Sequence, residues 1–324
     1  MEVVALELDH SSGRRLRAEI APEFGSNLFR LRFGELDLLR CDLDLLRSRR
    51  WTGTPILWPV PNRVSGKRYR FGTKVVDLSR VERPEGNWPL IHGFVDDQPW
   101  QHETSRGDAA TARARTWIEI APCSTPFEYF PFPSRLTLEF TLHSGGLRVD
   151  YTVENLGGEA LPFAFALHPY FALLDGGATQ LAVPADAVME ADDDLLPTGR
   201  LVPVADAGCD LREPTSPASL ALDHVFTDLH PGEHSRLIHP RSGVEIELVA
   251  SGDFTHVVVY TLKAASDGFV CVENQTGSTD AINLHTRAVE TEDPALERAA
   301  HLLVVPPGGS HTGYVEYRVR ALEG

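Results

Sequence analysis

Residues 136–153 read LTLEFTLHSGGLRVDYTV. Leu136, Leu138, Phe140 and Leu142 alternate with Thr137, Glu139 and Thr141. After Ser144-Gly145-Gly146 the alternation resumes, with Leu147, Val149, Tyr151 and Val153 set against Arg148, Asp150 and Thr152. Successive side chains of a strand point to opposite faces, so apolar residues at every second position build one face of a sheet. Two such runs joined by a glycine turn predict an antiparallel hairpin with a buried side and a solvated side. A helix would instead need apolar residues three and four apart.

The same period recurs toward the C-terminus. Val244, Ile246 and Leu248 alternate with Glu245 and Glu247, and Val315, Tyr317 and Val319 with Glu316, Arg318 and Arg320. Turn signals separate such runs at Asn155-Leu156-Gly157-Gly158, Asp175-Gly176-Gly177 and Pro306-Pro307-Gly308-Gly309. The 26 Gly and 23 Pro are spread along all 324 residues, as many short strands joined by turns require. The expected fold is one large all-β domain over residues 1–324, an antiparallel sandwich with few short helices. Asp293-Pro294 followed by ALERAAHLL predicts one of those helices, with Asp293 as its cap. Leu36–Leu46 fits neither period, and the Asp/Pro-rich stretch 184–218 is expected to form long loops.

Composition narrows the function. Acidic side chains number 46 against 30 Lys and Arg, a formal charge of -16, whereas nucleic acid and anionic lipid call for an excess of Lys and Arg. Four widely spaced Cys without a CxxC suggest neither a zinc ribbon nor a disulfide scaffold. The first twenty residues hold no continuous apolar core of a signal peptide, and no stretch reaches the apolar length of a membrane span. The chain therefore reads as a soluble, cytoplasmic protein, a monomer or homodimer. There is no G-x-G, no P-loop, no G-x-S-x-G and no H-E-x-x-H. His230-Pro231-Gly232-Glu233-His234 matches no helical metal site, and its Pro-Gly reads as a loop. Chemistry is expected to run on side chains alone, without metal or cofactor.

Four segments set polar residues among prolines and aromatics: Pro55–Arg63 (PILWPVPNR), Asn87–Phe94 (NWPLIHGF), Leu167–Phe171 (LHPYF) and Phe269–Gly277 (FVCVENQTG). With Leu222-Asp223-His224-Val225-Phe226, they resemble the aldose 1-epimerase (galactose mutarotase) superfamily. Its signatures run in the same order: Asn-Arg after prolines, His-Gly, His before Tyr-Phe, an Asp before an aromatic-containing strand, and a late Glu. The resemblance implies a large β sandwich with a sugar in an open cleft and interconversion of α and β anomers. Carried over by position, it implies Glu273 as general base, His168 as general acid and His92 as a second His at the ring oxygen. It implies Arg63, Asn62, Asp223, Tyr170 and Gln275 as substrate-binding residues. Two departures bear on the sugar. Family members tend to read Asn-His-Thr-Tyr-Phe where this chain has Leu167-His168-Pro169-Tyr170-Phe171, and Pro where it has Asn274.

The chemistry suits those residue types. Ring opening needs a proton on the ring oxygen and removal of one from the anomeric hydroxyl, and a positioned acid and base each contribute roughly 10²–10⁴-fold. His can be protonated near pH 7 while a carboxylate is ionised. The pair is expected on opposite sides of the O5–C1–O1 corner. Trp58, Trp88, Trp100, Tyr170 and Phe171 are candidate apolar walls for the sugar. Read alone, Glu273 also fits a strand-end partner for an arginine, although the apolar run Phe269–Val272 before it argues for a partly buried carboxylate, and both His fit hydrogen-bonded supports of their loops. Two rival functions remain. A hexose-6-phosphate 1-epimerase would use the local +5 of residues 60–83, and a silent sugar-binding module would keep the walls without the acid–base pair.

Overall fold

The computed structural model describes residues 1–81, 91–108, 110–261 and 268–322. The quoted hairpin forms as expected: Ser134–His143 pairs antiparallel with Gly146–Asn155. Gly146 lies at φ 151°, where a Cβ would sit 2.1 Å from the Tyr317 carbonyl oxygen, so the turn depends on glycine. The hairpin is central to an eight-stranded antiparallel sheet that also contains Val244–Ala250 and Ser310–Ala321.

A second large sheet runs in the order Pro197–Pro203, Ala185–Ala191, Asp223–Leu229, His256–Tyr260, Phe269–Gln275, Ala166–Leu167, Ile56–Leu57. Tyr170–Ala172 also pairs with Phe269–Gln275. Leu136, Leu138, Phe140, Val149 and Tyr151 share one buried apolar cluster with Phe226, Val257, Val259, Val270 and Val272 of this second sheet. Each such side chain contributes about 1.5–3 kcal/mol on burial, against at most about 1 kcal/mol for a half-exposed ion pair such as Arg135–Glu154. The alternating face therefore dominates the architecture. The molecule is all-β, with a four-stranded N-terminal sheet beside the sandwich.

Helices are few and short. Asp293 caps Pro294–Ala300 as expected, accepting from the Ala295 and Leu296 amides. Leu36–Leu46 divides into a two-residue strand, Leu36–Asp37, and part of a helix, Leu43–Arg47, capped by Asp42. The expectation of long loops over 184–218 holds for 204–218 and is corrected for 185–203. Ala185–Ala191 and Pro197–Pro203 are paired strands with a bulge between Met189 and Ala191, and their Asp and Pro residues sit at ends and on the exposed side. Helix Ala281–Thr291 was not expected: Asp280 makes no cap bond and instead accepts from the Ser65 amide and hydroxyl. None of the helices among the described residues is long and apolar enough to cross a membrane.

Candidate active site

Sheet register brings the candidate residues together. Ala166 opposes Gln275 and Tyr170 opposes Cys271, so His168 between them falls opposite Glu273. On the other side of the Phe269–Gln275 strand, Val258 opposes Glu273 and Tyr260 opposes Cys271. Asp223 in turn opposes Tyr260. Directly opposed residues share a face. Asp223, Val258, Tyr260, Glu273, His168 and Tyr170 therefore form one patch, on the side of the sheet away from Val257, Val259, Val270 and Val272. Pro169 lacks an amide hydrogen and interrupts the ladder to the Phe269–Gln275 strand, while the His168 amide continues the pairing with the Ile56–Leu57 strand by donating to the Pro55 carbonyl at 3.0 Å.

A cleft of about 180 Å³ opens over this patch, lined also by Trp51, Asn62, Arg63, Ile91 and His92. His92 and Gly93 both take left-handed backbone (φ 73° and 70°), unusual for a non-glycine residue and common where a loop presents a functional side chain. His92 Nδ1 lies 2.9 Å from the Pro61 carbonyl and must donate to it, which fixes that nitrogen as protonated. Its ring meets Trp51 and His168 edge-on, with centroids 4.4 and 4.9 Å apart. Asn62 accepts from the Arg63 amide and guanidinium, and Arg63 donates to Asp223 at 3.2 Å. The guanidinium is thereby braced at one rim of the cleft.

At the floor, His168 Nε2 and Glu273 Oε1 are 3.3 Å apart. They are immediate neighbours, where the sequence reading set them on opposite sides of the sugar. Both are nearly sealed from solvent, 4% and 1% exposed. Burial pushes the Glu273 carboxyl well above its usual range; Asp223 adds to the rise, while the Gln275 hydrogen bond and Arg63 oppose it. Burial also holds the His168 imidazole well below its usual value. Burial therefore favours the neutral pair, with its proton on the carboxyl, over the ion pair. This reverses the charge assignment expected from exposed side chains.

Tyr170 reaches the cleft, stacked on His168 with centroids 4.9 Å apart. Gln275 does not reach it. Fully buried, Gln275 donates from Nε2 to Glu273 Oε2 at 3.0 Å, so it orients the carboxyl from behind instead of lining the cleft. Of the candidate walls, Trp58 is buried against Phe130, Trp100 donates to the Val95 carbonyl inside the core, and Phe171 packs on Tyr317. Period two separates Tyr170 from Phe171. Trp88 lies outside the described residues. Trp51, whose Nε1 donates to Asp96 at 3.1 Å, and Tyr260 supply the aromatic surface instead. Tyr260 ends the apolar run His256–Tyr260, a signal that was available; Trp51 follows two arginines in a loop and carries none. Among the described residues, no group of three or more His, Cys, Asp or Glu side chains is placed to hold a metal ion.

Comparison with known families accords with the resemblance carried by the motifs. Residues 6–301 match the aldose 1-epimerase family model, and the chain belongs to that family. It is 24% identical over 230 residues to the uncharacterized protein YihR of Escherichia coli K12, spanning 70% of this chain and 71% of that one. It is 30% identical over 164 residues to galactose mutarotase of Pongo abelii, a match that spans 49% of this chain and 45% of the mutarotase. A galactose mutarotase-like protein from Clostridium acetobutylicum shares the fold, with a TM-score of 0.82 at 18% identity over 99% of both chains.

Proposed function

We propose that the protein is an aldose 1-epimerase that interconverts the anomers of a free aldohexose, and the contact between His168 and Glu273 carries this reading. O1 and O5 of a pyranose share carbon C1, so the groups serving them have to be neighbours, as these two are. Sugar hydroxyls that donate to the carboxyl favour its ionised form, and a ring oxygen that accepts from the imidazole favours the imidazolium. Binding thus draws the pair's proton from Glu273 to His168. Glu273 then removes the O1 proton while His168 protonates O5, the C1–O5 bond breaks, and the open aldehyde forms. Rotation about C1–C2 and the reverse steps close the ring as the other anomer. The proton count is conserved and the scheme calls on no cofactor. His92 sits beside the ring oxygen, Arg63 and Asp223 hold hydroxyls at the rim, and Trp51, Tyr170 and Tyr260 face the ring's apolar side. The apolar cluster running from Val4 to Val319 supports reading the chain as one domain.

The phosphate alternative is less well supported. Arg70 pairs with Glu290 and Lys74 with Glu159, so neither cation is directed at the cleft. Of the described basic residues in 60–83, Arg63 alone lines it, and Asp223 engages that one. Polarimetry on freshly dissolved α-glucose and α-glucose 6-phosphate tests the choice. The free sugar is expected to equilibrate faster with protein than without, and more steeply than its phosphate. Acceleration confined to the phosphate would overturn the reading.

One proton on the pair is the working form, which predicts the pH profile. Ordinary values of 6.5 and 4.5 would cut that form about tenfold by pH 7.5. Burial moves the acid limit down and the alkaline limit up, so kcat/KM is expected to stay within about twofold from pH 5.5 to 7.5. A tenfold fall over that window would contradict a desolvated pair.

A further inference from the structure

Two connections that join the large sheets lie side by side. Residues 230–234 link Asp223–Leu229 to Ser235–His239, and residues 251–255 link Val244–Ala250 to His256–Tyr260. Between them opens a cavity of about 510 Å³, whose lining residues are all different from those of the cleft. Asn274 reaches it from behind the cleft. It follows Glu273 in the strand and opposes Val257, a member of the apolar cluster between the sheets, so its side chain points to the face opposite that of Glu273. We propose that this cavity is a second binding site, for a neutral polyol about the size of one sugar ring.

Asn274 carries the inference. It is 7% exposed, and its Oδ1 is sealed from solvent without a hydrogen-bond partner among the described residues. A buried amide oxygen is normally paired, and a ligand hydroxyl would pair this one. The deep wall around it is apolar: Leu248, Phe254 and Val257 are buried and suit the C–H face of a ring. His301 donates from Nδ1 to the Thr276 carbonyl at 2.6 Å, which in the neutral ring leaves Nε2 as a second acceptor for hydroxyls. The lining groups Asp228, Glu233 and Arg298 are exposed, so fixed charge stands at the mouth and not in the depth. There +1 from Arg298 and −2 from the two carboxylates leave −1, which disfavours a phosphate. His230 is engaged by Asp186 at 3.0 Å and Glu233 at 3.6 Å. Binding there calls for no reaction, so the inference stands apart from the epimerase reading.

Amide-shift NMR mapping of the native protein with myo-inositol, glucose and glucose 6-phosphate tests the site; myo-inositol is a ring-sized polyol without an anomeric carbon. Myo-inositol or glucose is expected to shift the amides of 228–234, 251–255 and 298–301 along one saturating curve, half-complete at about 10 mM or below. Asn274→Leu removes the amide at similar volume, and Gly252→Trp fills the cavity from a position where a Cβ meets no atom within 4 Å. Each is expected to weaken that curve at least about tenfold, while glucose still shifts the amides around Trp51, Arg63 and Glu273. Neutral probes that leave the three segments unmoved at about 100 mM would overturn the site. So would shifts that persist in either variant, or a response of these segments to glucose 6-phosphate alone. If the three segments respond to glucose and the cleft does not, the site stands and the epimerase reading falls. The reverse removes the site alone.

Discussion

Glu273→Gln reduces the protein's acceleration of mutarotation to the buffer rate, a loss of about 10²–10⁴-fold if the base contributes as positioned bases do. Glutamine keeps the shape of the side chain and can still accept from Gln275, but it cannot take the O1 proton. Stability should move the other way. The folded protein holds the Glu273 proton more tightly than the unfolded chain does, because burial raises its pKa. Native stability from this group is therefore present below the carboxyl's ordinary 4.5 and is lost as pH rises through the raised value. The glutamine variant does not titrate, so its melting temperature should overtake that of the native protein as pH rises from 5 to 9. Lost activity with retained stability excludes misfolding as the cause. Equal mutarotation rates for native and variant would remove Glu273 as base.

Gly93→Ala unfolds the protein at markedly lower urea. A Cβ there would stand 2.3 Å from the Trp58 carbonyl oxygen and 2.7 Å from its carbon, both backbone atoms with little freedom to yield. The Phe94 amide donates to that same carbonyl, at 3.1 Å, so displacement would also break the bond that seats the His92 loop. Backbone strain at φ 70° adds to the clash, and the expected cost is roughly 3 kcal/mol or more. Gly72→Ala is the control. Gly72 also has a positive φ, 57°, but nothing lies within 4 Å of its Cβ position, so only the strain of about 1–2 kcal/mol remains. Equal costs at the two positions would show that the Trp58 contact is not rigid.

Much of this was legible in residue order. The Leu136–Val153 hairpin obeyed its period because every second side chain could be buried against the facing sheet. Glu273 and His168 stood out because apolar or aromatic neighbours surrounded a polar group with no local reason to be there. Their adjacency could not be read, since it depends on a register that pairs residues more than a hundred positions apart. The resting proton could not be read either, because it follows from burial and not from composition. Gln275 illustrates the same limit. Its place two residues after Glu273 puts it on the cleft face, yet full burial turns it into a partner of the carboxyl. Strands 185–191 and 197–203 were hidden because Asp and Pro at their ends resemble loop composition. Helix 281–291 was hidden because Asp280 spends its side chain on Ser65.

The most direct test is two-dimensional exchange NMR of galactose and glucose at anomeric equilibrium, near neutral pH, with and without the native protein. Exchange peaks linking the α and β anomeric protons should emerge with protein and be missing from buffer. A folded protein that leaves both sugars exchanging at the buffer rate would contradict the assignment of His168 and Glu273 as a ring-opening pair for these hexoses.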